Sequence, residues 1–259
     1  MSYSASMLKL PAVALLALLS MSGPQAQQDE VAALRKEVEA LKAQQAAMQR
    51  DLTAIKNFLQ ALAQAQQPSE QALLNKTVDV SGIPMKGASS AKILMVEVSD
   101  YHCPYCRRYR QQTQPQIESQ YVQTGKIQYG FIDYPIAQLH PDAFRSHEAA
   151  NCAGDQGKYW EMNAKLFEAP TKDVSELVAH AGKIGLDTNK FKSCLDGGKF
   201  AGSVRESISR MQSLGVDSTP MFLIGLAPAN GQPLKVLKVV KGAVPFEDFK
   251  AALDNALNQ

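Results

Sequence analysis

Apolar side chains recur at alternating gaps of three and four residues between positions 28 and 67. The same stretch is rich in Ala, Gln, Leu, Glu and Lys, and it contains neither Gly nor Pro. This pattern is a heptad repeat with one interruption, at Gln45, and it predicts a coiled-coil helix over residues 27–67. The apolar positions are Val31, Leu34, Val38, Leu41, Met48, Leu52, Ile55, Leu59 and Leu62.

Charged residues flank this apolar stripe in a regular way. With Val31 at position a and Leu34 at position d, acidic residues at g face basic residues at e of the next heptad, which favours parallel strands in register. We therefore expect a homo-oligomer formed through residues 28–67, and both a dimer and a trimer remain open. The alternative is an amphipathic helix that packs on its own globular domain. The charge pairs are Glu30 with Arg35, Glu37 with Lys42, and Asp51 with Lys56.

Beyond Pro68 the pattern becomes that of an α/β domain, after an expected linker over residues 68–76. Residues 93–98 form a nearly continuous apolar run, typical of a strand that is buried on both faces. Between residues 141 and 214 only helical patterns occur. We therefore predict an α/β domain from residues 77–140 and 215–259, with a helical domain, residues 141–214, inserted into it. Further strands are predicted at 77–80, 127–132, 221–224 and 234–240, a loop at 82–90, and helices at 104–121, 143–152, 159–167, 174–184, 188–195, 201–214 and 246–257.

Composition narrows the function only a little. The chain has 259 residues, of which 45% are hydrophobic, enough for one large or two small domains with a true core. The net charge of +2 gives no strong attraction to nucleic acid, and we expect no nucleic-acid partner.

The N-terminus has the pattern of a secretory signal. Lys9 precedes an apolar run over residues 10–19, which is shorter than the roughly 20 residues that a membrane span needs. With Ala26 near the expected cleavage point, we predict a signal peptide over residues 1–26; an uncleaved anchor is the alternative. Export places the protein in the periplasm, an oxidising compartment where disulfides persist.

The segment Cys103-Pro104-Tyr105-Cys106 carries the chemistry. Pro104 suits the first position of a helix, which places Cys103 at the helix N-terminus, where the backbone N–H groups stabilise a thiolate. Cys106 lies one turn further in, within disulfide range, and is expected to be the buried resolving thiol. A zinc site is the alternative, but zinc needs four ligands and the other two cysteines stand alone. We therefore expect neither a metal nor another cofactor.

The sequence around these cysteines resembles the DsbA-like branch of the thioredoxin superfamily. A strand that contains Glu97 leads into the cysteine motif and a helix, and Thr219-Pro220 stands much later before another strand. The resemblance implies a thioredoxin fold with Cys103 as nucleophile and Cys106 as resolving cysteine. It also implies that Pro220 is a cis-proline facing the active disulfide and that the backbone of Thr219 pairs with substrate. Glu97 would be a buried acid that moves a proton to or from Cys106.

Two details depart from the best-known DsbA oxidases, which have Pro-His inside the motif and Val before the proline. The Pro-Tyr pair inside the motif and Thr219 before the proline are similar to DsbG and DsbC, which are oligomeric isomerases and reductases. The helical insertion, the second cysteine pair and the N-terminal stalk resemble ScsC proteins. We therefore expect an exported thiol–disulfide oxidoreductase, foremost an oligomeric isomerase or reductase, with oxidase activity as a further possibility. A DsbA-like dithiol oxidase and a non-enzymatic coiled-coil scaffold are the alternatives.

The same resemblance implies the partners. The substrates would be exported proteins that contain cysteines. A membrane oxidase of the DsbB type or a reductase of the DsbD type would reset the cysteine pair.

Two further groups of residues bear on the site. Cys152 and Cys194 both fall in the predicted helical domain, and a bridge between them would close a loop of about 43 residues, worth about 4 kcal/mol. We interpret this pair as a structural disulfide, with a second redox centre as the alternative. Arg107, Arg108 and Arg110 follow the motif and are interpreted as a solvated helix face, although they could instead support a thiolate.

Overall fold

The structure is a computed structural model that describes residues 24–66, 68–171, 173–227 and 233–259. The chain forms two compact units, one ending at Ala65 and the other running from Gln66 to Gln259. Most of the predicted signal peptide, residues 1–23, lies outside the described residues. Within the described ranges, no helix has both the length and the apolar character that a bilayer span requires.

The first unit is one long helix, α1, which runs from Pro24 to Gln66 and confirms the helix predicted from the heptads. From Val31 to Leu59 the apolar side chains of the heptad stripe are exposed on it: Val31 is 43% exposed and Leu41 is 64% exposed. Packing of an apolar face supplies most of the stability of helices in proteins.

The segment expected as a linker contains a short helix. A short helix, α2, occupies Pro68–Leu73, and it begins on a proline, which is tolerated at the first helical position. Leu73 at its end is fully buried, so this segment belongs to the globular unit. The strand expected at 77–80 is only Thr77–Val78 (β1), and the predicted loop contains a strand at Met85–Lys86 (β2).

The globular unit contains a mixed sheet, which confirms the predicted α/β fold. Its central strand β3, Ile93–Ser99, is buried throughout, as the apolar run predicted. β3 is parallel to β4, Ile127–Asp133, and antiparallel to β5, Met221–Leu226. The last strand, β6, is Leu234–Lys241, and the described strands follow the order β1-β6-β5-β3-β4-β2.

The helix after the cysteine motif is interrupted, whereas one helix was predicted. α3 covers Pro104–Gln112, α4 covers Gln114–Ile117, and a π-helical segment follows at Glu118–Val122. Pro115 explains the break at Thr113, because proline has no N–H to donate and its ring clashes with the preceding turn.

The inserted helices and the C-terminal helix follow the predicted pattern within a few residues. The insertion packs against the end of the sheet that carries the cysteine motif, and one apolar cluster contains Cys103, Cys106, Phe131 and residues of the insertion. The helices are α5 at Ala143–Gly154, α6 at Tyr159–Glu168, α7 at Val174–Lys183, α8 at Thr188–Asp196, α9 at Ala201–Ser213 and α10 at Phe246–Leu257.

Candidate active site

Cys103 lies at the N-terminus of α3, directly after the turn that follows β3. The backbone N–H of Cys103 donates to the carbonyl of Asp100 at 3.1 Å, and the Cys103 carbonyl accepts from Arg107 N–H at 3.1 Å. Pro104 is the first residue of α3, where no helical hydrogen bond is lost. The local sequence therefore places the sulfur of Cys103 beside the free N–H groups of a helix end.

The two motif cysteines are free thiols with opposite acid–base behaviour. Both are buried, Cys103 with 5% exposure and Cys106 with none. A hydrogen bond from Cys106 lowers the pKa of Cys103 to about 6, against the effect of burial; Thr219 and the backbone N–H groups of Cys106 and Tyr105 also lower it. Burial raises the pKa of Cys106, and the neighbouring Cys103 raises it further. At neutral pH the negative charge therefore resides on Cys103.

The segment before β5 lies opposite Cys103. The Thr219–Pro220 peptide is cis. The Cys103 thiol donates to the carbonyl oxygen of Thr219 at 3.5 Å. The Pro220 carbonyl accepts from the N–H of Gly242 at 2.8 Å, which ties this segment to the end of β6.

Glu97 is a fully buried carboxylate on β3. It accepts a hydrogen bond from the hydroxyl of Tyr129, and its Oε2 lies 3.5 Å from Nη1 of Arg110. The hydroxyls of Tyr129 and Tyr109 lie 3.3 Å apart, which extends the polar network beneath α3. These contacts do not include Cys106.

The prediction that the arginines after the motif form a solvated helix face is wrong for Arg110. Its side chain is only 10% exposed and pairs with Glu97, whereas Arg108 is exposed and donates to the carbonyl of Ala243. Cys103, Cys106 and Arg110 stand at intervals of three and four along α3, so Arg110 shares the inward face of the cysteines. That spacing is the sequence signal that could have identified it.

Two polar residues before the motif were missed by sequence reasoning. Asp100 is fully buried, and its carboxylate accepts from the N–H groups of His102 and Ile136 and bonds Nδ1 of His140, each at 2.8 Å. His102 Nε2 lies 3.0 Å from Oγ of Ser146 in α5, and burial lowers the pKa of His102. The segment that leads into Cys103 is therefore tied to α5 of the insertion by the contact between His102 and Ser146.

The second pair of cysteines forms a disulfide in the structure. Cys152 on α5 is bonded to Cys194 on α8, across 42 positions of sequence. The bridge joins two helices of the insertion. Cys152 belongs to the apolar cluster that also surrounds Cys103 and Cys106.

A mixed sheet, a cysteine pair at a helix N-terminus and an inserted helical domain together define a protein with a thioredoxin fold. A family model described as Thioredoxin matches residues 79–255. The chain belongs to the thioredoxin family, and the predicted fold is confirmed.

The chain is also similar to individual proteins of known sequence or structure. A probable disulfide bond formation protein D of Bacillus anthracis is 24% identical over 181 residues, covering 67% of this chain and 77% of the relative. The crystal structure of Wolbachia pipientis alpha-DsbA1 matches with a TM-score of 0.61 and 21% identity, over 70% of this chain and 94% of that one. The Na(+)/H(+) antiporter NhaA 3 of Salinispora tropica is 28% identical over 148 residues, covering 57% of this chain but only 22% of the antiporter.

Proposed function

We propose that the protein is an exported thiol–disulfide oxidoreductase in which Cys103 attacks disulfides of cysteine-containing proteins. The observation that carries this proposal is the opposed pair of thiols: an acidic Cys103 at the N-terminus of α3 and a buried, protonated Cys106 beneath it. A thiolate is the attacking species in disulfide exchange, whereas a thiol is nearly inert.

The reaction follows from this asymmetry. The Cys103 thiolate forms a bond to one sulfur of the substrate disulfide, and the other substrate sulfur leaves as a thiolate. The resulting mixed disulfide has two exits. Attack by Cys106 releases a reduced substrate and oxidises the enzyme, whereas attack by another substrate thiol releases a rearranged substrate and restores the Cys103 thiolate.

We propose supporting roles for three more residues. Thr219, whose carbonyl contacts the Cys103 sulfur, would present its backbone to an extended substrate chain, with Pro220 holding that segment beside the sulfurs. Glu97 would move a proton to or from Cys106 from its buried position on β3. The Cys152–Cys194 bridge would be structural, because both residues lie in the insertion and neither sits at a reactive helix end.

We further propose that α1 joins two or more copies of the chain, so that several active sites surround one cleft. The exposed heptad stripe and its complementary flank charges support this assembly. Such a cleft favours binding of misfolded substrates and hinders a membrane oxidase that would keep Cys103 oxidised. The net direction would then be isomerisation or reduction, with a reductase of the DsbD type resetting the cysteine pair.

The second candidate is a dithiol oxidase recharged by a membrane oxidase of the DsbB type. The relative named as a probable disulfide bond formation protein D favours it. Thiol trapping of the protein in cells separates the two candidates, since a mainly reduced Cys103–Cys106 pair indicates isomerisation or reduction, and a mainly oxidised pair indicates oxidation. A wild-type protein that formed no mixed disulfide with a disulfide-containing peptide would instead favour the non-enzymatic scaffold.

A further inference from the structure

The alternation of side chains along β3 defines what lies beneath the cysteine helix. Ile93 and Met95 pack in the cluster that contains Tyr109 of α3. The alternate residues of β3 pack on the opposite side of the sheet: Leu94, Val96 and Val98. Since side chains of a strand point alternately to its two faces, Glu97 and Ser99 continue the row that faces α3. Ser99, the last residue of β3, stands nearest to the motif.

The hydroxyl of Ser99 is buried on the side of the sheet that faces the cysteine helix. Ser99 is fully buried, and among the described residues its Oγ has no hydrogen-bond partner, sulfur included. The Ser99 side chain and the backbone N–H of Asp100 both lower the pKa of the Cys106 thiol, against the effect of burial. A buried hydroxyl without a partner is destabilising, so a role at the sulfur explains why a polar residue stands there.

The Ser99 hydroxyl can stabilise a Cys106 thiolate only at the stage of the reaction where that thiolate forms. In the free dithiol, Cys106 donates its proton towards the Cys103 thiolate, and the adjacent negative charge opposes a second one. Once Cys103 is bonded to substrate, that charge is gone. Burial still opposes the Cys106 thiolate, and the two donors that favour it are the Ser99 hydroxyl and the Asp100 N–H.

We propose that Ser99 is a catalytic residue of the resolution step, where its hydroxyl donates a hydrogen bond to the sulfur of Cys106 as that sulfur becomes the attacking thiolate. This inference rests on the proposed function. In the step, the Cys106 sulfur bonds to the Cys103 sulfur, the Cys103–substrate bond breaks, and the proton lost by Cys106 ends on the departing substrate sulfur. In the reverse direction the same hydroxyl stabilises Cys106 as the leaving group, so the role holds for oxidation and for reduction.

The test is a single-turnover reaction between the reduced full-length protein and a disulfide-containing peptide, with acid-quenched mixed disulfide followed by mass spectrometry. Hydrogen bonds to charged groups contribute enough that Ser99→Ala should slow resolution about tenfold or more. Mixed-disulfide formation by Cys103 should stay within about twofold of the wild-type rate. Ser99→Thr, which keeps the hydroxyl, should resolve at close to the wild-type rate.

Ser207→Ala is the matched control, because Ser207 is also a buried serine but donates to the carbonyl of Asp133 instead of a cysteine. Ser99→Val removes the hydroxyl but has nearly the same shape as Ser99→Thr. It therefore tests the loss of the hydroxyl without the small cavity that Ser99→Ala would leave. A second readout uses the Cys103→Ala background, where ultraviolet thiolate absorbance should show a higher pKa for Cys106 when Ser99 is replaced by alanine.

The outcomes separate this inference from the function on which it rests. Resolution that is unchanged in both Ser99→Ala and Ser99→Val, or equally slowed in Ser207→Ala, overturns the role of Ser99 while leaving the oxidoreductase intact. Equal slowing of both steps overturns it as well, since the hydroxyl would then act on structure only. A wild-type protein that forms no mixed disulfide overturns the proposed function itself.

Discussion

The sulfur of Cys103 lies 3.5 Å from the carbonyl oxygen of Thr219, although the two residues are 116 positions apart in sequence. The contact joins the strand-and-helix unit that carries the motif to the strand pair that follows the insertion. It places a backbone carbonyl beside the sulfur of the proposed nucleophile.

The two motif cysteines should separate the two halves of the reaction. Cys103→Ser should abolish the mixed disulfide with a disulfide-containing peptide, because a hydroxyl at this site cannot exchange with a disulfide. Cys106→Ser should instead accumulate it, because the resolving thiolate is lost. Mass spectrometry of acid-quenched samples measures both. A mixed disulfide formed by Cys106 in the Cys103→Ser variant would reverse the assigned roles.

The alkylation rate of Cys103 should rise with pH, with a midpoint at about pH 6, and reach a plateau above it. The thiolate reacts and the thiol does not, so the rate follows the deprotonated fraction. Iodoacetamide labelling in the Cys106→Ala variant offers a comparison, since loss of the Cys106 donor should move the midpoint upwards. A wild-type midpoint near the ordinary cysteine value of about 8.5 would contradict the assignment.

The same shift predicts how the stability of the reduced protein depends on pH. The folded pKa of Cys103 lies below its unfolded value, so folding is favoured fully above the unfolded pKa and loses this contribution as pH falls towards about 6. The oxidised protein has no thiol to titrate and should lack the effect. Urea unfolding of both forms between about pH 5 and 9 measures the difference, and parallel profiles would count against it.

Removal of the Arg110 guanidinium should destabilise the protein. Arg110→Met leaves the buried Glu97 carboxylate without its cationic partner, and breaking a buried pair costs about 3 kcal/mol or more. Arg108→Met is the control, since Arg108 is exposed and should lose less than about 1 kcal/mol. Denaturant unfolding measures the free energy of unfolding of both variants. Equal losses would contradict a stabilising ion pair between Arg110 and Glu97.

A charge within the heptad stripe should dissociate the proposed oligomer. Leu41→Asp places a carboxylate at a d position, whereas Ala43→Asp places the same charge at an outward f position of the same helix. Light scattering should show a lower mass for the first variant and an unchanged mass for the second. A wild-type protein that is monomeric would contradict the proposed assembly through α1.

Local patterns were sufficient for most elements. The apolar run at residues 93–98 predicted β3, because a strand covered on both faces must be apolar almost throughout. The closing helix at Phe246–Leu257 has the predicted bounds. In contrast, β2 has only two residues, too few to show any periodicity, and it exists because it pairs with β4.

Polar residues of the site were harder to place. Arg110 looked like part of a solvated run, and its burial depends on a carboxylate that approaches from β3. Ser99 gave no signal of its own, because a serine at a strand end is ordinary until a sulfur is known to lie above it. In both cases the deciding partner comes from another element.

The sequence by itself determined the local chemistry: a cysteine pair one helical turn apart, a proline that starts the helix, and a heptad stripe. These features depend on residues close together in the chain, whose spacing specifies their geometry. Only the tertiary structure decided that Thr219 faces Cys103, that Arg110 pairs with Glu97, and that Ser99 is buried on the face of the sheet that carries α3. Those relationships arise when the sheet, α3 and the insertion pack together, because burial and contact across elements are properties of the folded chain.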